Sequence, residues 1–193
     1  IILSNFNINQ INIEKFNLLL NRRLANEPIS KIINNKSFWK DDFYVNKFVL
    51  DPRPETEGVI EEILNIVKDK KKKLKMLDIG TGCGAIAISL AREFVNSKIT
   101  AIDISHEAIL VAKKNITKKK LQNNIQLQKT TFNNIDDKFD IIVSNPPYLS
   151  KRELEKVSNE IRDYEPTIAL DGGEDGLFFY REIADNIQNY MKK

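Results

Sequence analysis

Cysteine, histidine and tryptophan are almost missing from this chain of 193 residues, which contains one of each. A single cysteine, Cys83, excludes an internal disulfide and a cysteine-rich zinc site, and it is typical of proteins in a reducing compartment. We therefore expect a cytoplasmic protein without a bound metal. No apolar run approaches the ~20 residues that a membrane-spanning helix needs, so we expect no membrane partner.

Neither sign of charge predominates, with 30 lysine and arginine residues against 27 aspartate and glutamate residues. The net charge is +3, with 41% hydrophobic and 30% charged residues, as in a soluble globular protein. A net charge this small does not by itself indicate nucleic-acid binding. The length suits one α/β domain with an appendage.

The most informative segment is a strand, a glycine turn and a helix. Leu74–Ile79 is a short apolar run, and Gly80, Gly82 and Gly84 follow it before the helical pattern Ala85–Ala91. A strand that enters a helix through glycines is how doubly wound α/β domains hold an adenosine-containing cofactor. The glycines alone also suit a tight turn with no ligand. About twenty residues on, Asp103 ends the next apolar strand, where a carboxylate can accept hydrogen bonds from both ribose hydroxyls.

Strand and helix patterns alternate after this loop, which predicts a parallel sheet with right-handed crossovers. The run 139–144 is almost wholly apolar, so we expect a central strand that is buried on both faces. Ser150 and Glu153 form a capping-box pattern that predicts a helix toward Arg162. The other expected elements are strands at 98–103 and 125–127, helices at 11–25 and 105–119, a helix with Pro54 in its first turn that continues through Val59–Val67, a hairpin within 37–45, and a last amphipathic helix that includes Leu177 and Ile187.

Asn145-Pro146-Pro147-Tyr148 follows the apolar strand directly. Because ligands bind beyond the carboxyl ends of parallel strands, this tetrapeptide, the glycine loop and Asp103 should share one crevice. An amide or exocyclic amino nitrogen is a poor nucleophile because its lone pair is delocalised. The Asn145 side-chain oxygen and the Pro146 carbonyl could each accept one of its N–H groups and orient it. Tyr148 offers an aromatic face for a planar group. A plain proline turn is the alternative interpretation.

With these segments, the chain resembles class I S-adenosylmethionine-dependent methyltransferases, and more narrowly the protein-(glutamine-N5) methyltransferases that modify peptide chain release factors. The Asn-Pro-Pro-Tyr motif is shared with adenine and guanine amino methyltransferases, whereas two of the other segments are more specific to the release-factor family. The matching segments are 51–57 (DPRPETE), 77–84 (LDIGTGCG), 101–105 (AIDIS), 144–149 (SNPPYL) and 164–180 (YEPTIALDGGEDGLFFY).

The resemblance implies a Rossmann-like α/β fold and S-adenosylmethionine as cofactor. It implies that Asn145 and Pro146 are catalytic and that residues 145–148, including Pro147 and Tyr148, bind a glutamine from a Gly-Gly-Gln motif. Asp103 would hold the ribose, and the adenine would lie near Thr131 and Phe132, where the family often has a Trp-Phe pair. The expected cofactor-binding residues are Gly80, Thr81, Gly82, Cys83, Gly84, Asp103, Thr131, Phe132 and Asn145.

The chain departs from the family in two ways. The family has a full N-terminal helical bundle and a seven-stranded sheet, whereas this sequence offers only the end of such a bundle and stops after the helix that follows the fourth strand. We therefore expect a fragment of a longer or fused chain, with the end of a helical domain at 1–35, a hairpin linker at 36–54 and a methyltransferase domain at 55–193. The sheet would then expose a long apolar edge.

Two other functions stay open at this point. One is an amino methyltransferase acting on adenine or guanine in RNA or DNA, and the other is a non-catalytic module with the same fold. The mild charge and the Pro-Arg-Pro-Glu-Thr-Glu segment favour the release-factor substrate, with no direct nucleic-acid contact.

Overall fold

The computed structural model describes residues 12–192. The helices are α1 (Ile13–Leu24), α2 (Ile29–Ile33), α3 (Glu57–Ile66), α4 (Ala85–Glu93), α5 (His106–Lys118), α6 (Lys151–Leu154), α7 (Asn159–Tyr164) and α8 (Phe178–Asn186). The strands are β1 (Lys36–Phe38), β2 (Asp41–Phe43), β3 (Lys75–Ile79), β4 (Lys98–Asp103), β5 (Ile125–Lys129) and β6 (Ile141–Ser144). No helix among these residues is both long and apolar enough to cross a membrane.

Four strands form a parallel sheet in the order β5-β4-β3-β6. Neighbouring residues of a strand point to opposite faces, and both faces of this sheet are covered. Met76 belongs to the larger core with α4, α5 and the hairpin, while its neighbour Leu77 belongs to a smaller core with Phe132, Phe139 and Ile183 of α8. The predicted doubly wound α/β class is therefore present.

The strand order corrects one expectation. We expected the apolar run 139–144 to be a central strand buried on both faces, but β6 lies at the edge of the four-stranded sheet and only Val143 in it is fully buried. Past α8, Met191 forms a parallel bridge with Phe139 just before β6, where the Phe139 N–H donates to the Tyr190 carbonyl at 2.7 Å. The backbone around Met191 therefore starts to pair with the segment that leads into β6, on the outer edge of the sheet.

The helix predicted after Ser150 is also interrupted. Ser150 and Glu153 do form the capping box, but α6 ends at Leu154 and a second helix, α7, begins after Ser158. Ser158 has the extended backbone of an N-cap residue (φ −60°, ψ 158°). One predicted helix is therefore two short ones.

The N-terminal part packs against the sheet domain through the hairpin. β1 and β2 form an antiparallel pair at 36–43, which starts one residue before the predicted region 37–45, and the Tyr44 N–H donates to Asn115 Oδ1 of α5 at 2.8 Å. Helix α1 has no buried residue, and its apolar side chains Ile13, Phe16 and Leu24 are more than half exposed. The predicted start of this helix, at Ile11, lies outside the described residues.

Candidate active site

The glycine loop after β3 has the conformation that the sequence predicted. Gly80, Gly82 and Gly84 all have positive φ, at 72°, 55° and 84°, which residues with a Cβ adopt only under strain. A Cβ on Gly80 or Gly82 would meet no atom within 4 Å, whereas one on Gly84 would contact Ile88 and Ala112. Gly80 and Gly82 therefore border open space, while Gly84 packs against helices.

Asp103 lies at the end of β4, beside this loop. Its Oδ2 accepts the Gly82 N–H and its Oδ1 accepts the Ser105 N–H, both at 2.9 Å. Burial raises the pKa of Asp103, and the surrounding N–H groups oppose that increase. A carboxylate has about four acceptor positions, so two protein hydrogen bonds leave capacity for the hydroxyls of a ribose.

Asp78 is a second carboxylate at the loop, which the sequence analysis did not select. It is fully buried in β3, and its Oδ2 accepts hydrogen bonds from Thr81 Oγ1 (2.7 Å) and the Ala87 N–H (3.2 Å). Burial raises its pKa to about 7. Asp78 does not line the cavity described below, so its role is to hold the glycine loop against the first turn of α4.

Asn145 follows β6 by one residue and is oriented by a residue distant in sequence. Its Nδ2 donates to Thr56 Oγ1 at 3.3 Å, and Thr56 lies in a short 3₁₀ turn, Pro54–Thr56, that precedes α3. The preceding Ser144 Oγ donates to the Ile79 carbonyl at 2.9 Å, which joins β6 to the end of β3. Because the amide nitrogen faces Thr56, the Asn145 oxygen is the end available as an acceptor.

A cavity of about 370 Å³ brings these residues together. Of the predicted site residues, Gly84 and Tyr148 lie outside its lining, and the Tyr148 side chain is half exposed. Sequence reasoning missed Thr56, Phe48, Ile168 and Phe178, which also line the cavity. The predicted residues that line it are Gly80, Thr81, Gly82, Cys83, Asp103, Thr131, Phe132, Asn145, Pro146 and Pro147.

Two predicted residues also have structural roles. Cys83 is buried, and burial raises the pKa of its thiol to about 12, so it is not a thiolate nucleophile at neutral pH. The Phe132 ring packs on Tyr190, with ring centroids 4.4 Å apart. The described residues contain no group of three or more side chains that could hold a metal ion.

A buried ion network lies beside the cavity and reaches its lining through Asp51. Lys31 Nζ lies 2.7 Å from Asp51 Oδ1 and 3.2 Å from Glu165 Oε2, and all three side chains are almost completely buried. Arg53 also reaches Glu165, at 3.2 Å. Burial and the neighbouring Asp51 raise the pKa of Glu165, while Lys31 and Arg53 lower it. The network joins α2, the Pro-Arg-Pro segment and the end of α7.

Comparison with known proteins gives this architecture a family. The family model described as "Methyltransferase small domain" matches residues 61–167. The chain belongs to the methyltransferase small domain family. Its fold is similar to that of the hMettl16 catalytic domain in complex with MAT2A 3′UTR hairpin 6, with a TM-score of 0.61 at 19% identity, over 75% of this chain and 56% of that one. This likeness confirms the predicted class I methyltransferase fold.

Curated relatives of the family are closer in sequence. The chain is 43% identical to a release factor glutamine methyltransferase of Buchnera aphidicola, over 93% of this chain and 64% of that protein. It is 40% identical to a bifunctional methyltransferase of Rickettsia bellii, over 96% of this chain and 38% of that protein. These relatives confirm the resemblance found in the sequence, and the chain spans between about two fifths and just under two thirds of their length.

Membership of this methyltransferase family and fold implies S-adenosylmethionine as the methyl donor. The cavity fits this donor, because Gly80 and Gly82 leave open space and Asp103 lies beside them. The donor is a sulfonium cation. Within the described residues the lining contains three carboxylates, Asp51, Asp103 and Glu182, and no lysine or arginine.

Proposed function

We propose that this chain transfers a methyl group from S-adenosylmethionine to the side-chain amide nitrogen of a glutamine, the one in the Gly-Gly-Gln motif of peptide chain release factors. The observation that supports this most directly is the orientation of Asn145. Its amide nitrogen is bound to Thr56, so its oxygen is available in a cavity that also contains the glycine loop.

In this proposal Asn145 and Pro146 act by orienting the nitrogen that is methylated. The Asn145 oxygen and the Pro146 carbonyl each accept one N–H of the glutamine amide, which places the nitrogen lone pair toward the donor and stabilises the positive charge that develops on it. Pro146 and Pro147 have no backbone N–H, so this loop offers acceptors rather than donors at these positions. The nitrogen becomes acidic only after transfer, so its proton leaves to water and no general base is needed before attack.

The bound donor supplies an electrophilic methyl carbon on a sulfonium. Gly80, Gly82 and Asp103 would bind its adenosine, with Thr131 and Phe132 near the base. Asp103 is held by the Gly82 and Ser105 N–H groups, so its two oxygens are fixed before a ribose arrives. Such preorganisation lowers the cost of binding.

The composition of the cavity favours a protein substrate over nucleic acid. A nucleic-acid enzyme needs lysine or arginine against phosphates, and the described part of the lining contains neither. Phe48, Ile168 and Phe178 are each roughly half exposed and border the cavity, which suits an apolar peptide segment.

Three further proposals concern the partner, the cellular location and the domain boundaries of this chain. The relatives named for release factor glutamine methylation support a release factor as the partner, and such a substrate is consistent with a cytoplasmic location. We also propose residues 1–35 as part of a helical domain, 36–54 as the linker and 55–193 as part of the methyltransferase domain.

The test is a comparison of donor binding with turnover in variants of Asn145. Asn145→Ala should keep the donor Kd of the parent, measured by calorimetry, and lose methyl transfer to a release factor at least 100-fold, since loss of one such oriented dipole costs roughly 10²–10³ in kcat. Asn145→Ala with unchanged turnover would contradict the proposal. A variant that loses donor binding equally would instead indicate a role in the donor site.

A further inference from the structure

The second glycine-rich segment, Gly172–Gly176, has no role in the function proposed above. It nevertheless contacts the catalytic loop, residues 145–149, directly. The segment connects the end of a 3₁₀ turn at 167–169 to helix α8. Gly172 and Gly176 are both buried, while Glu174 and Asp175 between them are exposed. Such a pattern indicates that the glycines, and not the acidic side chains, make the contact with the rest of the fold.

Backbone hydrogen bonds join this segment to the residue after the Asn-Pro-Pro-Tyr motif. The Leu149 N–H donates to the Leu170 carbonyl at 2.9 Å, and the Gly172 N–H donates to the Leu149 carbonyl at 2.8 Å. Leu149 and Asp171 form a parallel bridge. Backbone pairing at Leu149 therefore fixes residues 145–149 against residues 170–172.

The glycines let the two backbones approach more closely than side chains would allow. A Cβ on Gly172 would lie 2.8 Å from Tyr148 Cα and 2.8 Å from the Gly176 carbonyl oxygen, well inside van der Waals contact. A Cβ on Gly176 would overlap the Tyr148 carbonyl oxygen, and Gly176 also has a positive φ of 78°. The close approach of this segment to the Tyr148 backbone therefore requires glycine at both positions, and Tyr148 lies three residues after Asn145.

We propose that Gly172 and Gly176 are positioning residues for methyl transfer, which hold the Tyr148 backbone so that the Asn145 oxygen and the Pro146 carbonyl present the right geometry to the substrate amide. This inference rests on the proposed function. The magnitude follows from the geometry. Ordinary Cβ contacts begin at 3.4 Å, so an alanine at 172 displaces Tyr148, or the opposite loop, by about 0.6 Å. A misplacement of about 1 Å can cost 10²-fold in rate.

The chain offers matched controls for backbone strain and for background. Gly173 lies in the same segment with φ 86°, but its Cβ would face Phe178 at 3.0 Å rather than Tyr148. Gly173→Ala therefore strains the loop and presses on Phe178, which would change KM for the release factor, but it does not press on Tyr148, whereas Gly172→Ala presses on Tyr148 at an ordinary φ. A Cβ added to Gly58 in α3 would meet no atom within 4 Å. Gly58→Ala therefore measures the effect on kcat of a glycine-to-alanine change that makes no new contact.

The first experiment measures kcat for methyl transfer to a release factor and donor Kd for the three loop variants and Gly58→Ala, at a temperature where circular dichroism shows all of them folded. We expect Gly172→Ala and Gly176→Ala to lose about tenfold or more in kcat with donor Kd within twofold, and Gly173→Ala to stay within threefold of the parent. Equal losses in all three loop variants, or no loss at 172, would overturn the inference.

A double-mutant cycle separates positioning from a general loss of stability. If Gly172 acts through residues 145–148, Gly172→Ala should cost about threefold or less in an Asn145→Ala background, because only the Pro146 carbonyl then still depends on the geometry that Gly172 maintains. A full tenfold loss in that background, measured by single-turnover transfer of labelled methyl, would contradict the inference.

A measurement without turnover keeps the two proposals distinguishable. Crystal structures of the parent and of Gly172→Ala should show the Tyr148 Cα displaced by about 0.5 Å or more. If Tyr148 stays in place and the glycine segment moves instead, the positioning inference is wrong. If the parent transfers no methyl to a release factor, the proposed function fails, and these structures still decide whether the segment sets the position of Tyr148.

Discussion

Replacing Asp78 with asparagine should change how the folding stability depends on pH. This carboxyl group is fully buried, and burial raises its pKa to about 7 from an ordinary 3.8, against the opposing hydrogen bonds from Thr81 and Ala87. A shift of about three pKa units corresponds to roughly 4 kcal/mol. Because the folded-state pKa is raised, the folded protein holds a proton that the unfolded chain has already released between pH 4 and 7.

The raised pKa makes Asp78 stabilise the fold more at low pH than at high pH. The contribution of Asp78 to stability is fully present below about pH 4 and is lost as the pH rises through about 7. Asp78→Asn removes the ionisation and keeps both hydrogen bonds, since both are accepted by the same oxygen, Oδ2. The free energy of unfolding of the variant, relative to the parent, should therefore rise by up to about 4 kcal/mol between pH 4 and pH 8.

The assay is urea unfolding at pH 4, 6 and 8, with Asp185→Asn, an exposed carboxylate on α8, as the control. Any constant cost of burying the new amide group shifts the whole curve and leaves its slope unchanged. Parallel curves for the parent and Asp78→Asn, with a difference constant to within about 1 kcal/mol, would refute the reasoning. A similar rise in Asp185→Asn would assign the effect to overall charge.

Asp103, the buried ion network and the orientation of Asn145 can each be tested by a single substitution. Asp103→Ala should weaken binding of S-adenosylmethionine by roughly 10- to 100-fold in calorimetry, since a hydrogen bond to a charged group is worth about 1.5–3 kcal/mol, and unchanged affinity would remove Asp103 from the donor site. Lys31→Met should lower the free energy of unfolding by about 3 kcal/mol or more at pH 7 in guanidinium titration, because it leaves the buried Asp51 without its cation and Glu165 with Arg53 alone; a loss below 1 kcal/mol would contradict this. Thr56→Val should lower kcat about tenfold with donor affinity unchanged, because Asn145 loses the partner that orients it, whereas Thr56→Ser should restore most of kcat; equal kcat in both variants would contradict the role.

The glycine-loop half of the candidate site could be predicted from the sequence because it is encoded locally. The glycine spacing, the apolar strand before it and Asp103 at the end of the next strand are each read from a few neighbouring residues. Parallel strands then bring their carboxyl ends to one edge of the sheet. The structure places Gly80, Gly82 and Asp103 along one cavity for that reason.

The other half depends on contacts between distant residues, which local patterns do not reveal. Thr56 meets Asn145 across 89 positions, and Lys31 is buried although lysine is rarely buried. An apolar run such as β6 suits a partly buried edge strand as well as a central one, so composition did not give its place in the sheet. The break between α6 and α7 did have a local signal, since Ser158 is a residue type that favours an N-cap.

The most direct test of the central claim is to map the methyl group on the product. The protein that carries this chain would be incubated with S-adenosylmethionine and an unmodified release factor, and the peptides would be sequenced by tandem mass spectrometry. The account predicts a methyl group on the side-chain amide of the glutamine in the Gly-Gly-Gln peptide, absent with Asn145→Ala. An unmodified glutamine with the donor bound, together with methyl transfer to RNA in a parallel reaction, would contradict it.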